Sequence, residues 1–320
     1  MKILSWNING IKTSLPYVCK LLTKEDPDIL FLSEIKVGEK VLANLLQKPA
    51  GDLDKLDQYV IPSTYTSFWN PNKKPGSHGT AMFVKTVHDP VLIAKGLERP
   101  KDEDRSVLVD GLCARRPVFP KEDILKAHMT EGRLLAVHLK AKDLVVVGTY
   151  VPNVGEPPAM PRLGYRVRQW DPDLALVLRS YMETYGDRLV WCGDLNVAQH
   201  PIDVYDPIKQ RGKGCFTVEE RGCFTEMCKR LCLTDTYRHL HPKSQDFSFY
   251  SFRFASVSTC RGWRLDYVMA SEPMTKALES SFILENIDGE LESPIVESGK
   301  NAGRPKRISD HLPVGAIFDI

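Results

Sequence analysis

The chain has 320 residues, 42% of them hydrophobic and 26% charged, with a formal net charge of +2. These are the proportions of a soluble globular protein with room for one large α/β or α+β domain, or two ordinary ones. So small a net charge excludes a uniformly basic surface, and any nucleic-acid face has to be a local patch balanced by acids elsewhere.

The start, "MKILSWNING", runs straight into a strand pattern without an apolar stretch and cleavage site, which predicts no secretory signal. No apolar run approaches the ~20 residues that span a bilayer. The expected setting is therefore intracellular: the nucleus of a eukaryote or the cytoplasm of a bacterium. The eight cysteines are then expected to stay reduced. Cys228 and Cys232 lie four apart without a CxxC or nearby His spacing, and read as thiols rather than zinc ligands.

In chain order, residues 2–8 predict a strand, Tyr17–Leu22 a short helix, and Asp28–Ile35 a second buried strand after Pro27. Gly79–Lys85, Leu134–Lys140 and Leu144–Tyr150 are further strands, the last two joined by "AKD" as an antiparallel hairpin requires. Apolar residues from Leu163 to Glu183 recur at amphipathic-helix spacing. "RLVWC" is again a strand, Glu219–Leu231 a helix, Trp263–Ala270 a strand, and "PVGAIFDI" the closing strand. Strands outnumber helices, and helices intervene irregularly, which suits two packed sheets covered by helices. With no repeat, linker or composition break, residues 1–320 read as a single domain, with a surface insertion at about 96–131 where charges and prolines mix.

Polar residues gather where strands end. "SWNING" offers Asn7 and Asn9 at i,i+2, on one strand face. "FLSEIK" ends in Glu34, "GTYVPN" offers Tyr150 and Asn153, and "VWCGDLNVA" interrupts an apolar run with Asp194 and Asn196. "WRLDY" carries Asp266, and "ISDHLPV" sets Asp310 and His311 before the last strand. Singly, each has a plainer account: an Asn-Gly turn, an ion pair of Glu34 with Lys36, a helix cap at Asp194. One convergent rim accounts for all of them together. Carboxylates and amide oxygens are hard ligands suited to Mg²⁺ or Mn²⁺. A carboxylate that takes a proton from water, a His paired with an Asp, and neutral Asn and Tyr donors are what phosphodiester hydrolysis needs.

The motifs "WNINGI", "LSEIK", "YVPN", "CGDLNVA", "GWRLDY" and "SDHLPV" occur in the order of the exonuclease III class of apurinic/apyrimidinic (AP) endonucleases, and the chain resembles that class over nearly its whole length. The class belongs to the endonuclease/exonuclease/phosphatase superfamily, which includes DNase I. The resemblance implies a four-layer α/β sandwich, two mixed sheets flanked by helices, with the site at one rim. It implies a metal-dependent enzyme acting as a monomer on double-stranded DNA containing abasic sites, with no membrane partner. Glu34 would be the principal ligand of Mg²⁺ or Mn²⁺, with Asp310 and Asn9 beside it. Asp194 would deprotonate water while held by Asn7, and Asn196, His311 and Asn153 would contact the phosphate. Asp266 would orient His311, and Tyr150 would hydrogen-bond the phosphate or assist departure of the 3′ oxygen. Trp263, Leu265 and Phe252 would wall a pocket for a baseless sugar, a fit by size exclusion; Trp263 and Leu265 also suit ordinary core. DNA contacts would fall to Lys12, Lys36, Lys73, Lys74, Arg162, Arg166 and the "KQRGKG" loop.

The chain departs from the class pattern at Ser33 and Ile35 around Glu34, at His78 in "GSHGTA", and in the proline-rich loop "VGEPPAMPR". Two other functions remain open on sequence: a superfamily phosphodiesterase acting on a substrate other than DNA, and a catalytically silent DNA-binding scaffold.

Overall fold

The computed structural model describes residues 1–47, 61–98, 130–252, 259–284, 292–295 and 305–320. Of the predicted insertion, residues 99–129 lie outside the described residues.

Two six-stranded sheets form the framework. The first runs in the order β11 (Leu278–Ile283), β14 (Val314–Phe318), β1 (Lys2–Asn7), β2 (Ile29–Ser33), β4 (Thr80–Lys85), β3 (Tyr65–Asn70). The second runs β5 (Pro90–Lys95), β6 (Leu134–Leu139), β7 (Leu144–Tyr150), β8 (Leu189–Asp194), β10 (Asp266–Ala270), β9 (Thr234–Asp235). A separate pair joins β12 (Glu292–Ile295) to β13 (Pro305–Arg307). Both sheets are mixed: β1–β2 and β7–β8 are parallel, while β1–β14 and β8–β10 are antiparallel.

Side-chain alternation builds four layers. Ile3, Phe31, Met82 and Ala316 of the first sheet pack between the sheets against Val137, Val146, Val190 and Val268 of the second. The opposite face of the first sheet, Leu4, Trp6, Leu30 and Phe83, takes the apolar side of helix Ile11–Lys24 through Val18, Leu21 and Leu22. The outer face of the second sheet, Ala136, Val147 and Trp191, takes helices Asp171–Tyr185 and Val218–Arg230 through Leu174, Leu178 and Phe224. Each element is amphipathic at its own period, and each apolar face meets another.

Several elements differ from the sequence reading. The first helix begins at Ile11 and runs through Pro16. The ring removes one backbone hydrogen bond, and burial of Ile11, Val18 and Leu21 on the sheet offsets that loss. Leu163–Glu183 is not one uniform helix: a short turn at Leu163–Tyr165 widens into a π turn at Arg166–Trp170 before helix Asp171–Tyr185. Strand β10 starts at Asp266 rather than Trp263, because Trp263 pairs instead with Val204 and Phe249. Strands β3, β5 and β11 and helix Glu39–Gln47 were not expected from the sequence.

Gly148 sets the spacing of the sheets next to the rim. A Cβ there would lie 2.1 Å from the Phe31 ring, which fills that space from the facing sheet. Gly148→Ala is therefore expected to cost about 1–3 kcal/mol by overpacking. Urea denaturation would measure the loss, and adding Phe31→Leu should recover part of it.

Candidate active site

Strand direction and register carry the polar residues to one rim. The parallel pairs end there, so Asn7 stands beside Ser33, next to Glu34, and Tyr150 pairs with Asp194. The antiparallel strands begin there, so Asp266 pairs with Asp194, and His311 precedes β14. Gly193 permits this closeness, for its φ is +142° and a Cβ would lie 1.9 Å from the Thr149 carbonyl oxygen.

A cleft of about 430 Å³ opens over the rim, lined among others by Glu34, Tyr150, Asn153, Asp194, Asn196, Asp310 and His311. Asn7 lies directly beneath it. The Asn7 amide donates to Glu34 Oε1 (3.1 Å) and Asp194 Oδ2 (2.9 Å), and its Oδ1 accepts from the Asn9 backbone (3.1 Å). Asn9, Glu34, Lys36 and Asn196 all adopt left-handed φ between 48° and 57°. For Glu34 and Lys36 that conformation costs roughly 1–2 kcal/mol each, and such strain characteristically collects at functional sites.

The two sides of the cleft differ electrostatically. Burial pushes the Glu34 carboxyl up, but the Lys36 ammonium 2.6 Å away, with hydrogen bonds from Tyr150 and Asn7, holds it down at about 2. Across the cleft, burial raises Asp194 to about 7, the positive charge of His311 opposing the rise and the negative charge of Asp266 adding to it. Burial would lower His311, yet Asp266 (Nδ1 to Oδ2, 2.8 Å) and Asp194 (Nε2 to Oδ2, 3.8 Å) raise it to about 10. Ser248 donates to Asp266 Oδ2 at 2.7 Å, and the Ser309 hydroxyl accepts from the His311 backbone at 3.1 Å. Burial, then Glu34 and Asp194, keeps the Tyr150 phenol neutral and able to donate to Glu34.

Two groupings offer metal ligands. Asp194, Asp266 and His311 present ligand atoms within 4.8 Å of one another. That trio is already matched internally, with a cationic imidazole lying between two acids. Glu34 Oε2 and Asn9 Oδ1 instead both face the Lys36 ammonium. Hard oxygens that already gather around one positive charge fit a divalent cation, and Asp310 lines the same cleft.

Asn196 is fixed from several sides. Its backbone N–H donates to Asp194 Oδ1 (3.0 Å), its side-chain amide donates to the Val151 carbonyl (2.9 Å), and its Oδ1 accepts from Asn153 (3.0 Å). Trp263 and Leu265 line the cleft beside Phe249, whose ring lies 4.8 Å from that of His311. The phenylalanine that lines the cleft beside them is Phe249 rather than Phe252. Backbone bridges from Phe249 to Trp263 and His311 turn its ring inward, and Phe252, 51% exposed, is not among the lining residues.

Lys12, Lys73, Lys74 and Arg162 are exposed on the surface, and Lys213 of the basic loop lines the cleft. Arg166 corrects the expectation of a DNA contact, being 1% exposed and surrounded by carbonyls and acids. Sequence reading also passed over Arg133. It is buried with its guanidinium 4.9 Å from the Tyr150 ring, and it donates to the Tyr150 carbonyl (3.1 Å) and toward His78 Nε2 (2.9 Å). Burial, then the charge of Arg133, lowers His78 to about 4. An "EGR" preceding a strand carries no mark of such a role in one dimension.

The model of the Endonuclease/Exonuclease/phosphatase family matches residues 4–311. The chain belongs to that family. Among curated members of the Endonuclease/Exonuclease/phosphatase family it is similar to the DNA repair nuclease APEX1 of Danio rerio, with 32% identity over 92% of this chain and 81% of the relative. It is also similar to an exodeoxyribonuclease of Bacillus subtilis, 28% identical with both chains covered in full. Among solved structures, a Neisseria 3′ phosphatase bound to product DNA hairpin matches with TM-score 0.70 and 26% identity over the full length of both chains. Among the described residues, no helix is long and apolar enough to cross a membrane.

The trio of Asp194, Asp266 and His311 yields a direct expectation. With its pKa raised, His311 contributes stability that is fully present below about 6.5 and is lost as pH rises toward 10. NMR titration of the metal-free protein should find this imidazole still charged at pH 8, and Asp266→Asn should bring its titration back toward neutrality.

Proposed function

We propose that the protein is a Mg²⁺-dependent class II AP endonuclease of DNA base excision repair. It hydrolyses the phosphodiester 5′ to an abasic site in duplex DNA and leaves a 3′-hydroxyl, with additional 3′-phosphodiesterase or 3′–5′ exonuclease activity. The observation that carries this reading is the pairing, in one cleft, of a carboxylate held low beside hard oxygen donors with a carboxylate held high beside a charged His. The relatives described as a DNA repair nuclease and as an exodeoxyribonuclease support DNA as substrate.

Glu34, with Asp310 and Asn9, would hold Mg²⁺ or Mn²⁺. Once bound, the ion supplies Lewis-acid neutralisation of phosphoryl charge. The chain's own residues do the rest. Asp194, positioned by Asn7, accepts the proton of the attacking water, and its raised pKa makes it an effective base near neutral pH. His311, kept cationic by Asp266, donates to a non-bridging phosphate oxygen. Asn196 has one amide N–H engaged by Val151 and its carbonyl held by Asn153, which aims its second N–H at the phosphate. Tyr150, a neutral donor, stands beside Glu34 to assist the departing 3′ oxygen. Phe249, Trp263 and Leu265 form an apolar wall that fits a sugar without a base, because extrusion costs least where no base pair is lost. Lys12, Lys73, Lys74 and Arg162 hold the backbone without reading sequence. The whole chain serves this one catalytic unit, as a monomer.

Labelled duplexes with and without one abasic analogue, incubated with Mg²⁺ or EDTA, test the reading by the position of the cut. Cleavage immediately 5′ to the analogue, abolished by EDTA, is expected. Asp194→Asn should lower kcat by roughly 10²–10⁴-fold while abasic DNA still binds, and Glu34→Ala should raise the Mg²⁺ concentration required. Full turnover in Asp194→Asn, or an unchanged metal titration in Glu34→Ala, would remove the assigned roles.

A further inference from the structure

Arg166 is one of the most deeply buried charges in the chain, at 1% exposure. The π turn Arg166–Trp170 carries it under the cleft floor. One terminal nitrogen donates to the carbonyls of Asn196 (2.5 Å) and Pro152 (3.4 Å), and the other to the carbonyl of Leu195 (2.7 Å). Glu220 at 3.2 Å and Asp171 at 3.6 Å balance the charge. Glu220 also accepts from the Cys215 backbone (3.2 Å) and closes the cap of helix Val218–Arg230 through Thr217.

These partners share one property. Pro152 precedes Asn153 in the loop after β7, and Leu195 and Asn196 follow Asp194 in the loop after β8. At the cleft those loops meet through the Asn153–Asn196 hydrogen bond of 3.0 Å and the bond from the Asn196 amide to the Val151 carbonyl of 2.9 Å. A planar fork of five N–H donors can hold carbonyls from both loops at once, which a point charge on a flexible stem cannot. A guanidinium taken out of water costs several kcal/mol unless it is paired and hydrogen-bonded, so core packing alone gives no reason for Arg here.

We propose that Arg166 is a positioning residue: from beneath, it locks the loops that carry Asn153, Asp194 and Asn196 into one geometry, and it touches no DNA. This rests on the phosphodiesterase reading above for its effect on turnover, but not for the clamp itself. The effect is expected on kcat more than on KM, because an error near 1 Å in the groups around a reacting phosphate costs about 10²-fold, whereas DNA is held by surface cations elsewhere.

The test compares full-length wild type, Arg166→Lys, Arg166→Gln and a control, Leu22→Ala, which destabilises the far helix Ile11–Lys24. Cleavage of a duplex with one abasic analogue, the salt dependence of its binding, and hydrogen exchange of peptides spanning 150–155 and 194–198 are measured. Both Arg166 variants should lose about 10²-fold in kcat with KM within about threefold, and keep the salt slope of binding. Exchange should rise in the two loops and not in β6, while Leu22→Ala loses Tm without losing kcat. An Arg166 variant whose kcat stays within about threefold of wild type overturns the proposal, as does a raised KM with a shallower salt slope, the mark of a lost phosphate contact. Should wild type itself show no cleavage, the functional reading falls, and exchange alone decides: unchanged protection in both loops sinks the clamp.

Discussion

Asn7 joins the two halves of the cleft. Its amide nitrogen reaches Glu34 on the first sheet and Asp194 on the second, at 3.1 and 2.9 Å. Two carboxylates facing each other across a sheet interface repel unless donors lie between them, and a neutral amide supplies two N–H groups without adding a charge. The Asn7 backbone is anchored in turn, since its carbonyl accepts from Ser309 (2.5 Å) in the segment that carries His311. Through its side chain and its backbone carbonyl, Asn7 thereby holds the segments at Glu34, Asp194 and 309–311 relative to one another.

That anchoring lets one rim hold carboxylates in opposite states. Glu34 lies beside an ammonium and Asp194 in deeper burial near a second acid, so their pKa values are driven apart. Groups separated in this way take up different tasks, one binding positive charge and the other exchanging protons. The layer below adds rigidity: Ser248 fixes Asp266, Asp266 fixes His311, and Arg166 gathers the carbonyls of the neighbouring loops. These buried polar groups thus lie beneath the cleft, where they determine the positions of the residues that line it.

The central strands were legible because Leu4, Phe31, Val146 and Val190 lie in continuous apolar runs, and the rim was legible because those runs stop at acids and amides. The edge strands β3 and β5 were not: "YTSFWN" mixes polar and apolar residues, and "PVLIAK" is a short run opened by a proline, with its first four residues only half-buried. The aromatic side of the cleft shows a second limit. "FYSF" offers two phenylalanines three residues apart, and the backbone bridges from Phe249 to Trp263 and His311 distinguish the inward one. Arg166 shows a third: a basic residue near the start of an amphipathic helical pattern reads as a surface cation open to DNA, and the acids that bury it, Asp171 and Glu220, lie 5 and 54 positions away. Contacts distant in sequence decided each of these points, and local pattern carries no record of them.

The central claim is that the first sheet supplies the cation site, while Asp194 and Asp266 of the second sheet meet His311, from the segment before β14, in a separate proton-handling trio at the same rim. A crystal of the protein grown with Mn²⁺, with anomalous scattering recorded at the manganese edge, tests it most directly. The account predicts a peak bonded to Glu34, with Asn9 and Asp310 around it and Lys36 displaced. A peak seated among Asp194, Asp266 and His311, with Glu34 still paired to Lys36, would contradict it.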